Sequence, residues 1–137
     1  MSDTLSFDVD MAGAYDHAID RVTTALQAEG FGILTRIDVD KTLKEKIGVD
    51  FRPYAILGAC NPPLAHKALQ HDARVGLMLP CNVTVEAREG GGATVRIGNP
   101  TTLMQASGLT GDTLGEVAAE ARIRLERVAD ALRGSPS

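Results

Sequence analysis

The strongest constraint on the fold is an uncharged run in the middle of the chain that is followed at once by a helix start signal. Residues 54–60 read Y-A-I-L-G-A-C and contain only apolar or small side chains. Such a run is typical of a strand that is covered on both faces, or nearly so, and that lies inside a sheet. Asn61 is a preferred helix N-cap and Pro62 a preferred first helical residue. The chain is therefore predicted to turn from a central strand into a helix directly after Cys60.

Alternation of apolar and polar residues predicts further strands. Residues 5–10 alternate strictly, and residues 83–87 and 93–97 alternate on either side of three consecutive glycines, Gly90 to Gly92. A period of two is the pattern of a strand with one buried face, and glycines between two such runs favour a hairpin. The apolar segment 31–37 is predicted to form one more strand. Together with residues 54–60, these segments predict a sheet of about five strands.

Four helices are predicted from apolar residues at helical spacing and from capping signals. They begin near Tyr15, Asp40, Asn61 and Thr113, and the glycines Gly30, Gly48 and Gly134 are expected to end the first, second and fourth. Thr113 and Glu116 have the spacing of a capping box. Residues 99–111 are predicted to be a loop or a short helical turn. The expected fold is a two-layer α+β sandwich, a five-stranded sheet covered by helices.

The length of 137 residues is that of one domain with its own hydrophobic core. We expect a single domain over residues 1–137, with residues 1–4 and 134–137 frayed. Eighteen acidic and fourteen basic residues give a net charge of −4, which repels nucleic acid. The amino terminus lacks the pattern of a secretion signal and no apolar run is long enough to span a membrane. We therefore expect a cytoplasmic protein with reduced thiols, without nucleic acid or membrane partners.

Both cysteines occur in similar short segments. Residues 57–63 read L-G-A-C-N-P-P and residues 77–83 read L-M-L-P-C-N-V, so each cysteine precedes an asparagine and has a proline nearby. The longer segments Y-A-I-L-G-A-C-N-P-P, from Tyr54, and L-M-L-P-C-N-V-T-V-E, from Leu77, resemble the signature of the domain of unknown function 302 family. The resemblance extends from G-F-G-I-L in the second predicted strand to the last helix, which is nearly the whole chain.

This resemblance implies a small α+β domain that is found mostly in prokaryotes, forms a homodimer and has no established biochemical role. The chain has Asn82 after Cys81, where a basic residue is common in sequences of this kind. An anion-binding role is therefore not expected at this position.

The two thiols allow three interpretations. Cys60 precedes a helix start, where the helix dipole can stabilise a thiolate, so Cys60 is a candidate redox nucleophile with Cys81 as the resolving thiol. This requires the fourth strand to begin beside Cys60; the sequence equally permits it to begin at the far end of the sheet. Alternatively, both residues are small hydrophobic core residues. A metal site is disfavoured, because the spacing of these cysteines and of His17, His66 and His71 matches no common metal motif.

The remaining hypothesis is a concave site at the sheet edge. Phosphate binding is disfavoured because Pro62 and Pro63 remove two backbone donors. No nucleophile motif predicts an enzyme, and no cofactor is expected. The sequence favours a homodimeric module that binds a small ligand or another protein, and a thiol-dependent redox protein is the alternative. The candidate ligand-binding residues are Tyr54, Cys60, Asn61, Pro80, Cys81 and Asn82.

Overall fold

Five strands form one antiparallel sheet in the computed structural model, which describes residues 4–134. The strands are β1 (Ser6–Met11), β2 (Gly32–Asp38), β3 (Tyr54–Cys60), β4 (Cys81–Ala87) and β5 (Ala93–Gly98). The helices are α1 (Tyr15–Ala28), α2 (Val39–Ile47), α3 (Pro62–His71), α4 (Pro100–Ser107) and α5 (Asp112–Gly134), and a 3₁₀ segment spans Ala73–Met78. The predicted α+β class and the five strands are confirmed.

The strand order β1-β5-β4-β3-β2 makes β1 and β2 the two edges of the sheet. β3, β4 and β5 follow one another in sequence and in space, so the centre of the sheet is a meander. β1 is the exception, because it pairs with β5 from the other end of the chain, with Phe7 opposite Ile97. β3 is an interior strand, as the uncharged run predicts.

One face of the sheet carries the main hydrophobic core. Alternate residues of the strands, such as Val9, Leu57 and Val95, point to this face and are buried. They pack against apolar residues of α1 and α5, including Val22 and Leu125. Burial of these side chains makes the largest favourable contribution to the stability of such a two-layer arrangement.

A second, smaller cluster lies beside this core. Ala68 of α3, Val75 of the 3₁₀ segment, and Leu114 and Val117 of α5 are buried together. Leu64, Met78, Leu79, Met104 and Leu109 pack around them. The long helix α5 therefore contributes its first turns to this second cluster and its later turns to the main core.

The other face of the sheet is largely polar and is only partly covered. The carboxylate of Glu86 in β4 accepts hydrogen bonds from Arg96, at 2.6 Å, and from Arg52, which together hold its pKa below the usual range. Tyr54 and Ile56 of β3 are only half-buried on this face. The prediction that β3 is covered on both faces is thus only partly right: of the residues on this face of β3, Gly58 alone is buried, because Thr35 and Pro80 pack over it.

The helix boundaries differ from the predictions in two ways. α5 begins at Asp112 and the amide of Gly115 donates to the carbonyl oxygen of Gly111, so Thr113 lies inside the helix and the predicted capping box is wrong. α2 begins at Val39 with Asp38 as its N-cap, and the carboxylate of Asp40 instead accepts a hydrogen bond from the amide of Tyr54. The predicted helix ends near Gly30 and at Gly48 agree with the structure, where both glycines have positive φ.

Two of the residues expected to fray lie within the described part of the chain. The carbonyl oxygen of Thr4 accepts hydrogen bonds from Asn99 and Thr102, and Gly134 is the last residue of α5. Residues 1–3 and 135–137 lie outside the described residues. Within residues 4–134, every helix is too short or too polar to span a lipid bilayer.

Candidate functional site

The two cysteine segments meet at one end of the sheet. β3 and β4 are antiparallel neighbours, and Ala59 lies opposite Cys81. β3 ends with Cys60 at the same end of the sheet where β4 begins with Cys81. Of the two arrangements that the sequence permits, the structure therefore has the fourth strand starting beside Cys60.

The two thiols are close but point in different directions. Since Cys60 is one residue beyond the partner of Cys81, strand spacing and rise place their Cα atoms about 6 Å apart. Successive side chains of a strand alternate between faces, so Cys81 shares the core face with Ala59 whereas Cys60 is directed to the other face. Both cysteines are free thiols. A disulfide between them would require movement of the backbone, because its two Cβ atoms must face each other.

The thiol of Cys81 is held in its neutral form. Burial raises the pKa of Cys81 to about 11, and the neighbouring Cys60 adds a smaller effect in the same direction. The thiolate is the nucleophilic form of cysteine, so at neutral pH Cys81 is a poor nucleophile. Its side chain contributes instead a small, weakly polar surface.

Asn61 joins β3 to α3 as the sequence predicts. Its side-chain oxygen accepts a hydrogen bond from the amide of Leu64, at 3.2 Å, and thereby caps the helix. Its Nδ2 atom would lie 2.9 Å from a Cβ atom placed on Gly30. Gly30 has φ of +85°, so both the backbone conformation and this close approach favour glycine there. The start of α3 is thus fixed against the end of α1.

A cavity of about 510 Å³ opens at this end of the sheet, between the two hydrophobic clusters. Phe31, Ala59 and Ala121 of the main core line one side, and Ala68, Val75 and Val117 of the second cluster line the other. The wall is completed by the 3₁₀ segment with Leu77 and Met78, by Leu79 directly after it, and by α4 with Leu103 and Met104. Asp, Glu, His, Lys and Arg are all absent from its lining within the described residues. The cavity is therefore mainly apolar, with Asn61, Asn82 and Ser107 as its polar, uncharged side chains.

Five of the six predicted site residues line this cavity. They are Cys60, Asn61, Pro80, Cys81 and Asn82. Tyr54 does not join them, because it begins β3 whereas Cys60 ends it. Tyr54 lies at the opposite end of the strand, where its ring contacts Phe51 with the centroids 6.2 Å apart. Tyr54 was predicted as a site residue because it belongs to the same sequence segment as Cys60 and Asn61.

The sequence prediction missed the walls that α4 and the 3₁₀ segment provide. Residues 99–111 were expected to be a loop or a short turn, but residues 100–107 form α4 with Asn99 as its N-cap. Asn99-Pro100 repeats the pair Asn61-Pro62 that correctly predicts α3. This repeated capping pair is the signal that identifies α4. The 3₁₀ segment has no comparable signal, apart from its run of apolar residues 77–79.

Within residues 4–134, His, Cys, Asp and Glu side chains form no group of three or more that could hold a metal ion. His66 and His71 lie on α3 outside the lining of the cavity.

Comparison with known proteins places this fold in a family. The family model described as domain of unknown function DUF302 matches residues 7–132. Among solved structures, the crystal structure of an uncharacterized conserved protein DUF302 from Bacillus stearothermophilus is similar, with 34% sequence identity and a TM-score of 0.83. The match covers 95% of this chain and 99% of the other. No curated protein matches the sequence. The family match spans most of the chain and the structural match agrees with it, so this protein belongs to the DUF302 family.

Proposed function

We propose that this protein is a homodimeric module that binds a small apolar molecule in the cavity at the end of the sheet. The observation that carries this proposal is the cavity itself, about 510 Å³ in volume, which is lined by residues of both hydrophobic clusters. Protein interiors are normally packed without voids of this size, whereas ligand sites of several hundred Å³ with mostly apolar walls are common. An apolar ligand would contact the leucine and alanine side chains of the lining.

The polar groups at the cavity support binding over catalysis. The side-chain oxygen of Asn61 is used to cap α3, and the hydroxyl of Ser107 both donates to the carbonyl oxygen of Met104 and accepts from the amide of Leu109. Acids and bases in enzymes are most often His, Glu, Asp or Lys, and these are absent from the lining within the described residues. The thiol of Cys81 is neutral and therefore does not act as a general base.

The test uses the uncharged fluorescent probe N-phenyl-1-naphthylamine. We expect its emission to rise and saturate with this protein. Ala118 of α5 lines the cavity, so Ala118→Phe should fill the space and remove most of the signal. Ala118→Leu is a second, smaller replacement in case the phenylalanine variant does not fold. Probe binding that is absent, or that both replacements leave unchanged, would refute the cavity as a ligand site.

The homodimer is proposed to form through the uncovered face of the sheet near β2. Ile37 of β2 is 48% exposed and lies opposite Ile56, and Leu34, Val49 and Phe51 are exposed nearby in the sequence. An exposed apolar patch is typical of surfaces that bind other proteins, and we propose that Ile37 belongs to one. Analytical ultracentrifugation should find a dimer in the native protein and a monomer for Ile37→Asp. Ile123→Asp is the matched control, because Ile123 on α5 is also 48% exposed. A monomeric native protein would contradict the proposal.

A thiol-dependent redox function is a second candidate, because the structure brings Cys60 and Cys81 to adjacent positions beside the cavity. With hydrogen peroxide as oxidant, two thiols would form one disulfide while the peroxide is reduced to two molecules of water. The protein would then lose two hydrogen atoms in mass without forming a covalent dimer. An unchanged mass, or identical oxidation of the Cys60→Ser variant, would exclude this candidate.

A further inference from the structure

We infer that the cavity selects uncharged ligands and rejects anions of the same shape. The inference rests on the proposed function of the cavity and specifies the chemical class that it binds: a neutral, mainly hydrocarbon molecule with at most a weakly polar group.

Burying a charge in this cavity is costly. A carboxylate or a phosphate that enters an apolar space loses its hydration, which is unfavourable unless a cation or several hydrogen-bond donors replace the water. Within the described residues, the lining has neither Lys, Arg nor His. Asp and Glu are absent as well, so a cationic ligand also lacks a partner of opposite charge. Both kinds of ion would exchange their hydration for contacts with, at most, the neutral polar side chains of Asn61, Asn82 and Ser107.

The start of α3 has backbone amides that could otherwise bind an anion. Pro62 and Pro63 have no N–H group, and the N–H group of Leu64 already donates to the side chain of Asn61. The first three helical residues therefore offer no donor to a ligand. Anions bind helix starts through free amides, so α3 does not provide such a site.

The start of α4 is blocked in the same way. Pro100 lines the cavity and lacks an N–H group, and the N–H group of Thr101 donates to the side chain of Asn99 at 3.1 Å. At the starts of both α3 and α4, the Asn-Pro pair therefore leaves the first backbone positions without a free N–H group for a ligand. The capping chemistry that builds the cavity walls also makes them unsuitable for anions.

Two exposed leucines lie in the lining of the cavity, beside the exposed polar residues Asn82 and Ser107. Leu77 of the 3₁₀ segment is 89% exposed and Leu103 of α4 is 41% exposed, although both line the cavity. Covering large exposed leucines with an apolar molecule is favourable, because it removes apolar surface from water. A hydrocarbon ligand would contact these side chains as it enters.

The test is a competition between 1-decanol and decanoate, which have the same chain length but differ in charge at neutral pH. Each displaces N-phenyl-1-naphthylamine from this protein, and the two concentrations for half displacement are compared. We expect 1-decanol to act at a concentration at least about tenfold lower. Equal or stronger displacement by decanoate would overturn the inference while leaving the cavity a ligand site. Loss of probe binding itself, in contrast, would refute the proposed function.

A charge placed at the mouth provides the matched variant. Leu103→Arg introduces a cation at a partly exposed position beside the cavity. We expect this variant to lose most of the preference for 1-decanol, because the guanidinium group compensates the carboxylate. Leu103→Gln, a polar but uncharged change, should retain the preference. An identical ratio in all three proteins would contradict an electrostatic origin of the selection.

Discussion

Because Gly58 lacks a side chain, the two cysteine segments can pack against each other. A Cβ atom on Gly58 would lie 2.3 Å from the hydroxyl oxygen of Thr35 and 2.6 Å from Cγ of Pro80. Both distances are far shorter than a van der Waals contact, and Pro80 cannot move away by rotating a flexible side chain. Gly58 thus allows Pro80, the residue before Cys81, to pack directly on β3.

We predict that Gly58→Ala destabilises the protein by about 1–3 kcal/mol, the usual cost of overpacking. Gly32→Ala is the matched control, because Gly32 is also a strand glycine but has nothing within 4 Å of its Cβ position. The control should change the free energy of unfolding by less than about 1 kcal/mol. Urea denaturation followed by circular dichroism measures both. Equal effects of the two changes would contradict the proposed contact.

The buried thiol of Cys81 gives a prediction about pH. Because folding raises its pKa from 9.0 to about 11, the folded state retains the proton longer than the unfolded state. Its contribution to stability is fully present below pH 9 and is lost as the pH rises through about 11. In the Cys60→Ser variant, alkylation of Cys81 by iodoacetamide should accelerate mainly above pH 10. Acceleration centred near pH 8.5, the range of a free thiol, would contradict its burial.

At the scale of the element, the Asn-Pro pairs determine where α3 and α4 begin. α3 could be predicted because its Asn-Pro pair directly follows the uncharged run that forms β3. α4 has the same pair, but its apolar residues cover only about two turns and the helix buries no residue completely. Short helices depend mainly on tertiary contacts for their stability, so a sequence pattern of this length does not distinguish a helix from a loop.

Asn99 is predicted to be the more important of the two caps. It is fully buried, and its side chain both accepts from the amide of Thr101 and donates to the carbonyl oxygen of Thr4. We expect Asn99→Ala to cost about 2–3 kcal/mol, and Asn61→Ala about 1 kcal/mol. Asn99→Asp should recover little, because a carboxylate accepts at Thr101 but cannot donate to Thr4. The midpoints of urea denaturation measure the relative stability of these variants. An Asn99→Asp variant as stable as the native protein would contradict the prediction.

At the scale of the whole molecule, the sequence predicts the sheet, most helices and a concave site at the sheet edge, but not the volume or the apolar walls of the cavity. Strand and helix patterns are local, and so is the Cys-Asn motif that indicated this end of the sheet. The cavity, in contrast, lies between residues as distant in sequence as Phe31, Val75 and Ala121. Its existence depends on how far α3, α4 and the 3₁₀ segment stand from α5. Residue type alone does not reveal this distance, because the same alanines and valines could equally be close-packed.

An unfilled apolar space implies that stability and binding oppose each other. We predict that Ala118→Leu raises the melting temperature of the ligand-free protein by a few degrees, since about 1 kcal/mol of added packing shifts a domain of this length by roughly 4 °C. The same change should weaken binding of N-phenyl-1-naphthylamine. Calorimetry measures the change in melting temperature, and fluorescence titration of the same preparation measures the change in probe affinity. A lower melting temperature would indicate that Ala118 faces a packed region.

The pairing of β1 with β5 has a consequence for synthesis on the ribosome. Phe7 and its partner Ile97 are separated by 90 positions, so β1 leaves the ribosome long before its only neighbour in the sheet exists. At about 5–20 residues per second, the interval is roughly 5–18 s. During that time β1 lacks both its strand partner and α5, whose apolar residues share the core with Val9 and Met11, whereas β3, β4 and β5 each follow their neighbour closely. The nascent amino terminus is therefore the part of this chain that would benefit most from a holdase chaperone.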